Sequence, residues 1–320
     1  MACTSNNATS AGATMNDGIT ISLLELFRMF PDHESARAYF EARRWPNGVC
    51  CPVCGLGDRI TVRKGGYYRC NQCKEDFTVR TGTIFERSHV PLHQWLYAMY
   101  LLVTSRKGIS SVQLSKEIGV TQKTAWFMLQ RLREACGNDP TILSGIVEID
   151  EAYIGGKESA KHESKKLRAG RGPVGKVAVL GMRERGGRTI AKPIDAADVA
   201  NIHTAIHTHI EAGSTLHTDE AKAYSGLVGL FFNHETINHG AGEYSRSGVT
   251  TNGIESVWAV MKRGLHGVYH HASDKHLGRY VAEFAFRLND GNVTRRTLSR
   301  LDSLINAAIG RRLTYAELIA

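Results

Sequence analysis

Hydrophobic positions recur at helical spacing from Ile21 to Trp45, with Leu23, Leu24, Phe27 and Phe30 in one stripe and Ala36, Tyr39 and Phe40 in the next. Pro31-Asp32 between them ends the first helix and caps the second. Arg44-Trp45-Pro46-Asn47-Gly48 then turns the chain, and Tyr67-Tyr68-Arg69 and Phe77-Thr78-Val79 read as short strands. Helical spacing returns over 92–135 as three segments. Trp95, Leu96, Met99, Tyr100 and Val103 line the first, Val112, Leu114 and Ile118 the second, and Ala125, Leu129 and Leu132 the third. Gly119-Val120 makes a tight turn and Thr121 caps the last helix, a helix-turn-helix pattern. In that geometry Thr121, Gln122 and Lys123 would meet base edges; a plain helical connector has the same pattern.

After Pro140 the period changes to extended. Strands are expected at Ile146–Asp150, Lys176–Met182 and Thr189–Ile194, a helix over Asp195–Ala212 with Val199, Ile202, Ile206 and Ile210 on one side, and strands at Leu216–Asp219 and Glu235–Ile237. A strong helix follows at Asn252–Gly264, with Ile254, Val257, Trp258, Met261 and Leu265 as its stripe. This is the element order of a mixed α/β, ribonuclease H-like sheet with flanking helices.

Two cysteine pairs, Cys51-x2-Cys54 and Cys70-x2-Cys73, are separated by 15 residues. Each pair forms a knuckle and the intervening hairpin joins them, the pattern of a structural zinc ribbon. No βαβ pattern surrounds either pair, which disfavours a redox motif. Cys50 stands beside Cys51 as a second candidate first ligand; the Cys-Pro-x-Cys-Gly knuckle favours Cys51.

Asp150 and Asp219 stand where apolar strands are expected to stop, and Glu255 in the first turn of the later helix. Three carboxylates converging from such places would repel one another. Divalent cations resolve the conflict, and all-oxygen ligands suit Mg²⁺ or Mn²⁺, held as a pair, over zinc. Each acid also has an ordinary alternative. Asp150 lies between Glu148 and Glu151 and fits a solvated edge, Asp219 fits a helix cap, and Glu255 follows Asn252 at capping-box spacing. Lys262 lies two turns after Glu255 on the same helix face, suited to a DNA phosphate or to a surface ion pair. His203 and His207 have zinc-pair spacing but no third ligand, and they read as exposed polar positions. Asn238-His239 precedes the Glu255 helix and is a weaker neighbour of the site.

At these residues the chain resembles the zinc-ribbon DDE transposases of bacterial insertion sequences, in the ISXO-two-like group. The matching runs are Arg44-Trp45-Pro46-Asn47-Gly48, Cys51-Pro52-x-Cys54-Gly55, Ile149-Asp150-Glu151-Ala152-Tyr153-Ile154-Gly155-Gly156-Lys157, Thr218-Asp219-Glu220 and Thr251-Asn252-Gly253-Ile254-Glu255-x-x-Trp258-x-x-x-Lys262-Arg263-Gly264. Later runs around Tyr269-His270, Lys275-His276-Leu277 and Glu283-Phe284 are similar as well, so the resemblance covers about residues 25–290. It implies that Asp150, Asp219 and Glu255 are the catalytic, metal-binding triad, that Lys262 is the lysine paired with it, and that Cys51, Cys54, Cys70 and Cys73 hold zinc. It also implies double-stranded DNA, as element ends and target, and a homo-oligomer in the DNA complex.

The organisation expected is a disordered tail (1–20), N-terminal helices (21–46), zinc ribbon (47–86), helix-turn-helix-like module (90–138), ribonuclease H-like catalytic domain (143–290) and C-terminal helical tail (291–320). Composition adds direction. With 40 Lys and Arg against 31 Asp and Glu the formal charge is +9, which suits a polyanionic partner. Between Gly156 and Val177 seven basic residues (Lys157, Lys161, Lys165, Lys166, Arg168, Arg171 and Lys176) face two acids, a candidate track for DNA beside the first triad acid. The expected DNA-binding set is Lys157, Lys165, Lys166, Arg168 and Arg171 of this run, Thr121, Gln122 and Lys123, and Lys262 and Arg263. No apolar run reaches the ~18 residues of a membrane span, and a reducing bacterial cytoplasm, next to the nucleoid, is the expected location. The rival to a transposase is a catalytically inactive DNA-binding regulator derived from one; a ribonuclease- or junction-type nuclease ranks below it.

Overall fold

The computed structural model describes residues 20–137, 140–156, 162–166, 174–227, 233–243 and 245–320, which form two compact units. The first unit opens with α1 (Leu23–Met29) and α2 (His33–Arg44), each started by a capping box, Ser22 with Glu25 and Asp32 with Ser35. A three-stranded antiparallel sheet follows, β1 (Ile60–Arg63), β2 (Tyr67–Cys70) and β3 (Asp76–Thr78), in which β1 escaped the sequence reading. Next come α3 (Leu92–Thr104), α4 (Ser111–Ile118) and α5 (Gln122–Cys136). Gly119 ends α4 in the left-handed region at φ 70°, where a residue without Cβ carries no steric penalty, and Thr121 caps α5.

The second unit is a five-stranded mixed sheet flanked by helices. Its strands are β4 (Ile146–Ile154), β5 (Val177–Glu184), β6 (Thr189–Ile194), β7 (Thr215–Asp219) and β8 (Asn233–Ile237), in the spatial order β6-β5-β4-β7-β8. The first three pair antiparallel as a meander, and β7 and β8 pair parallel on the other side of β4. That is the ribonuclease H-like arrangement expected from the element order. On one face α6 (Val199–His209) buries Ile202 and Ile206 against Val147, Ile149 and Leu216. On the other, α7 (Asn252–Gly264) and α8 (Asp274–Leu288) bury Ile254, Trp258 and Phe284 against Ala152 and Val179. A π-helical turn, Leu265–Tyr269, continues α7.

The chain then returns to the first unit. Residues 291–320, read from sequence as a tail, form α9 (Thr297–Ala307) and α10 (Tyr315–Ile319). Asp302 on α9 accepts from the Tyr39 hydroxyl at 2.5 Å and from Arg43 Nε at 2.9 Å on α2. The buried Arg300 donates to the Val103 carbonyl at the end of α3. Leu301, Leu304 and Ile305 are buried with them, so these residues are part of that unit's core.

One glycine decides how closely α7 lies on the sheet. A Cβ on Gly181 of β5 would stand 2.5 Å from Cζ2 of Trp258 and 2.7 Å from Cδ1 of Ile254. Gly181→Ala would force both side chains off their packing, at a cost of ~1–3 kcal/mol from overpacking. Urea unfolding followed by Trp fluorescence should show that loss; an unchanged midpoint would mean that α7 rests on the sheet more loosely.

Candidate active site and zinc site

The cysteines come together as their spacing requires. Sγ of Cys51 lies 3.6 Å from that of Cys73, and Sγ of Cys54 lies 3.6 Å from that of Cys70. All four ligand atoms lie within 4.8 Å of one another, the only such group of three or more potential metal ligands among the described residues. Cys51, and not Cys50, belongs to it. A backbone N–H from Cys73 draws the Cys70 thiol down to about 7, while burial pushes Cys73 up to about 12. Four sulfurs crowded this closely suit a cation that binds all four as thiolates. A groove of about 930 Å³ beside the first knuckle is lined by Arg43, Arg44, Arg311 and Arg312. Three of these are matched by Asp302, Glu134 and Glu86, and Arg44 donates to the Val79 carbonyl.

In the second unit Asp150 departs from its expected place. β4 runs on to Ile154, so Asp150 sits within the strand, opposite Gly181 of β5. Only the pairing with β7 stops before it. That pairing matches Ile146 with Thr215 and Glu148 with His217; continued two residues it would bring Asp150 level with Asp219, the last residue of β7, and the two carboxylates interact electrostatically. Alternate residues of a strand share a face. Asp150 therefore shares the face of Ala152, which packs beneath α7, the helix that carries Glu255 in its first turn.

Each acid is oriented by a donor. The Trp258 indole N–H donates to Asp150 Oδ2 at 2.9 Å, from the space that Gly181 leaves open. The Ala221 N–H donates to Asp219 Oδ1 at 3.0 Å, and the Thr251 hydroxyl to Glu255 Oε1 at 3.3 Å. Burial holds the Asp150 carboxyl above the usual range, and repulsion from Asp219 and Glu255 adds to this. The three carboxylates interact electrostatically without closing to the mutual spacing of the cysteine sulfurs. Carboxylate oxygens that repel one another in this way fit a hard divalent cation.

The acidic neighbours are not a solvated edge. Burial raises the Glu151 carboxyl, whose Oε2 accepts from the Tyr224 hydroxyl at 2.6 Å. Glu148 is only 4% exposed. Sequence reasoning missed both as partners of the site, and it missed Trp258 as anything but core. The available signals were the spacing of two from Glu148 to Asp150, which places them on one face, and a glycine inside β5, which marks a close approach.

Lys262 and Arg263 are exposed in the last turn of α7. Thr121, Gln122 and Lys123 are exposed at the start of α5, though already engaged: Thr121 caps the helix, Gln122 donates to Ser111 at 2.8 Å, and Lys123 lies 4.9 Å from the centre of the Tyr315 ring. Lys166 pairs with Glu163 at 2.7 Å. Lys157, Lys161, Arg168, Arg171 and the side chain of Lys165 lie outside the described residues, as do residues 1–19. His203 approaches the Ser225 carbonyl, and among the described residues it joins no metal-ligand cluster. No described helix is long and apolar enough to cross a membrane.

Comparison with known proteins adds the family. Residues 142–289 match the family described as ISXO2-like transposase domain, and residues 31–76 the transposase zinc-ribbon domain. An uncharacterized protein in transposable element ISH50 of Halobacterium salinarum is 33% identical over 259 residues, covering 76% of this chain and 86% of that protein. Two solved structures are more distant. The simian T-cell lymphotropic virus intasome in complex with PP2A regulatory subunit B56 gamma gives TM-score 0.28 at 15% identity, covering 59% of this chain and 67% of its own. A pre-cleavage Mos1 transpososome gives TM-score 0.22 at 13% identity, covering 59% and 75%. Similarity at that level carries no argument.

Removing zinc tests the first site. Thiolate coordination makes zinc binding part of the ribbon's folding free energy. The purified chain should hold roughly one zinc, and Cys70→Ser should lose it while the second unit keeps its unfolding transition. Full zinc occupancy in Cys70→Ser, measured by elemental analysis, would refute the ligand set.

Proposed function

This chain belongs to the ISXO2-like transposase family, and from that premise we propose that it is a DDE strand transferase that binds the ends of its element as double-stranded DNA, cleaves there and joins the freed 3′-end to target DNA. The observation that supports this reading is that Asp150 interacts electrostatically with both Asp219, at the end of the neighbouring parallel strand, and Glu255, on the helix that covers this sheet face. Asp150, Asp219 and Glu255 would hold Mg²⁺ or Mn²⁺, as a pair of ions. Such ions activate an attacking oxygen and stabilise a leaving oxygen in phosphoryl transfer.

The chain's own residues do the positioning. Trp258 and Ala221 orient Asp150 and Asp219 through single N–H donors, which fixes the angles of the carboxylates toward a phosphodiester. In the first step a water oxygen forms a bond to phosphorus and the 3′-oxygen leaves, taking a proton to become the 3′-hydroxyl. In the second step that hydroxyl oxygen attacks a target phosphodiester and displaces its 3′-oxygen; one P–O bond forms as another breaks.

Lys262, two turns along α7 from Glu255, would hold a neighbouring phosphate, with Arg263 beside it. The basic residues from Lys157 to Lys176 would extend this contact, and the start of α5 would meet DNA as the second helix of a helix-turn-helix. The domains would keep the boundaries expected from sequence, except that residues 291–320 group with the first compact unit. The active form would be a homo-oligomer on paired ends, acting in the cytoplasm where the nucleoid lies.

Two predictions separate chemistry from binding. Asp150→Asn, Asp219→Asn and Glu255→Gln should each abolish Mg²⁺-dependent strand transfer of end oligonucleotides yet leave their binding nearly intact, since removing negative charge lowers repulsion from phosphate. Normal activity in Glu255→Gln would sink the triad. Lys262→Ala should weaken end binding and reduce its salt dependence by about one phosphate contact, a slope change near ~0.9. Lys262→Arg should restore most binding without the full rate, because the guanidinium fork places its charge differently. An unaltered salt slope and rate in Lys262→Ala would leave the lysine a surface charge.

A further inference from the structure

The helix that carries Glu255 begins without a side-chain cap from its N-cap residue. Thr251 holds the N-cap position of α7, but its side chain accepts no backbone N–H of the first turn; its hydroxyl donates to Glu255 instead, and Thr250 Oγ1 accepts the Asn252 N–H at 3.2 Å. The first turn of any helix has N–H groups with no partner inside it. In α7 one of them, on Ile254, donates to Glu148 Oε2 at 3.0 Å, from 106 residues away in the chain. Glu148 lies on β4 two residues before Asp150 and so on the same sheet face. Its other oxygen accepts from Arg185 Nη2 at 3.2 Å. The same guanidinium donates to the Gly248 carbonyl at 2.9 Å and lies 3.2 Å from His217 Nδ1, the atom that accepts the Thr250 N–H at 3.3 Å. Strands β4, β5 and β7 and the segment entering α7 thus meet at one carboxylate and its arginine.

Gly253 belongs to this arrangement. A Cβ at that position would collide with Glu148 Oε2, so a larger residue there would push the carboxylate away from the helix end. Stability alone does not account for a buried acid at this place. Two residues beyond Asp150 on the same face, Ala152 packs beneath α7 as an apolar residue. A buried ion pair replaced by apolar groups is often no less stable. What a carboxylate supplies and an apolar side chain does not is a directional bond to a helix N-terminus, where negative charge is favoured.

We propose that Glu148 is a positioning residue of the active site: a cap supplied by the strand, which ties the first turn of the Glu255 helix to the strand bearing Asp150 and so sets the separation of those two metal-binding carboxylates. It acts through the backbone of Ile254, next to Glu255, and needs no contact with DNA or metal. The proposal rests on the triad reading above.

The test uses the full chain with Glu148→Ala, Glu148→Gln and Gly253→Ala, and the double variant Glu148→Ala/Gly253→Ala. Four quantities are read: hydrogen–deuterium exchange over residues 252–257, Mn²⁺ affinity by isothermal titration without DNA, the strand-transfer rate at saturating end DNA, and the dissociation constant for that DNA. Glu148→Ala should speed local exchange by roughly tenfold, the effect of a lost N-cap. It should weaken Mn²⁺ binding and slow strand transfer by about 10–100-fold, as for other residues that orient metal ligands, with DNA affinity unchanged. Glu148→Gln keeps an acceptor oxygen and should recover much of each loss. Gly253→Ala should reproduce Glu148→Ala with Glu148 still present, and the double variant should be no worse than either single one. If Glu148→Ala fails to fold, Gly253→Ala and Glu148→Gln carry the test. Native exchange at Ile254 and native Mn²⁺ affinity in the folded variants, or fully additive losses in the double variant, would overturn the proposal. The triad reading fails separately: it falls if Asp150→Asn and Glu255→Gln keep Mn²⁺ binding and strand transfer, whereas native triad dependence with an indifferent Glu148 removes the cap alone.

Discussion

Like charges in a partly dry site push apart, and the second unit is organised around keeping three carboxylates near one another in spite of this. Asp150 feels Asp219 and Glu255, and burial compounds the repulsion by removing water that would screen it. The sheet counters it with backbone hydrogen bonding, because parallel pairing of β4 and β7 up to Glu148 and His217 directs the two strand segments that carry the first two acids alongside each other. The third acid comes from another element. Its place depends on how α7 lies on the sheet, and Gly181 permits that approach by presenting no side chain to Trp258 and Ile254.

The same packing makes Trp258 bifunctional. Its ring fills the layer between helix and sheet, and its N–H orients Asp150. A buried indole needs a hydrogen-bond partner, so satisfying that donor and aiming the carboxylate are one event. Tyr224 plays a similar part on Glu151 from the α6 side, with its ring in the core and its hydroxyl on the acid. Asp150 and Glu151 are therefore held by core residues, and they inherit the rigidity of the packing around them.

The first unit solves a different problem. A ribbon of three short strands has little apolar surface to bury, and the four clustered cysteines supply the missing constraint as a metal site. Around it Trp45, Tyr68 and Phe77 pack edge-on or stacked. The last residues of the chain complete the helical part, where Asp302 joins Tyr39 and Arg43. The periodicity of residues 297–307 reveals a helix. It holds no information about which distant surface that helix covers, which is why this segment reads as a tail in one dimension.

Local chemistry was legible along the chain. Cysteine spacing picked out the four sulfurs that cluster, since each knuckle is closed by neighbours in sequence. Apolar periodicity placed α7 at its observed bounds and β6 likewise, because amphipathic elements record their own buried face. Asp150 was found as an acid after apolar residues, but its strand continues through it, since pairing with β5 outlasts pairing with β7. Glu148 reads in sequence as one more acid on an edge, and only the fold brings Ile254 and Arg185 to it. The sequence by itself determined which residues have the chemistry and which elements carry them, because both depend on neighbours a few positions away. Tertiary structure alone decided which acid faces its fellows and which caps a helix, because those roles depend on strand register and on the distance of one helix from the sheet.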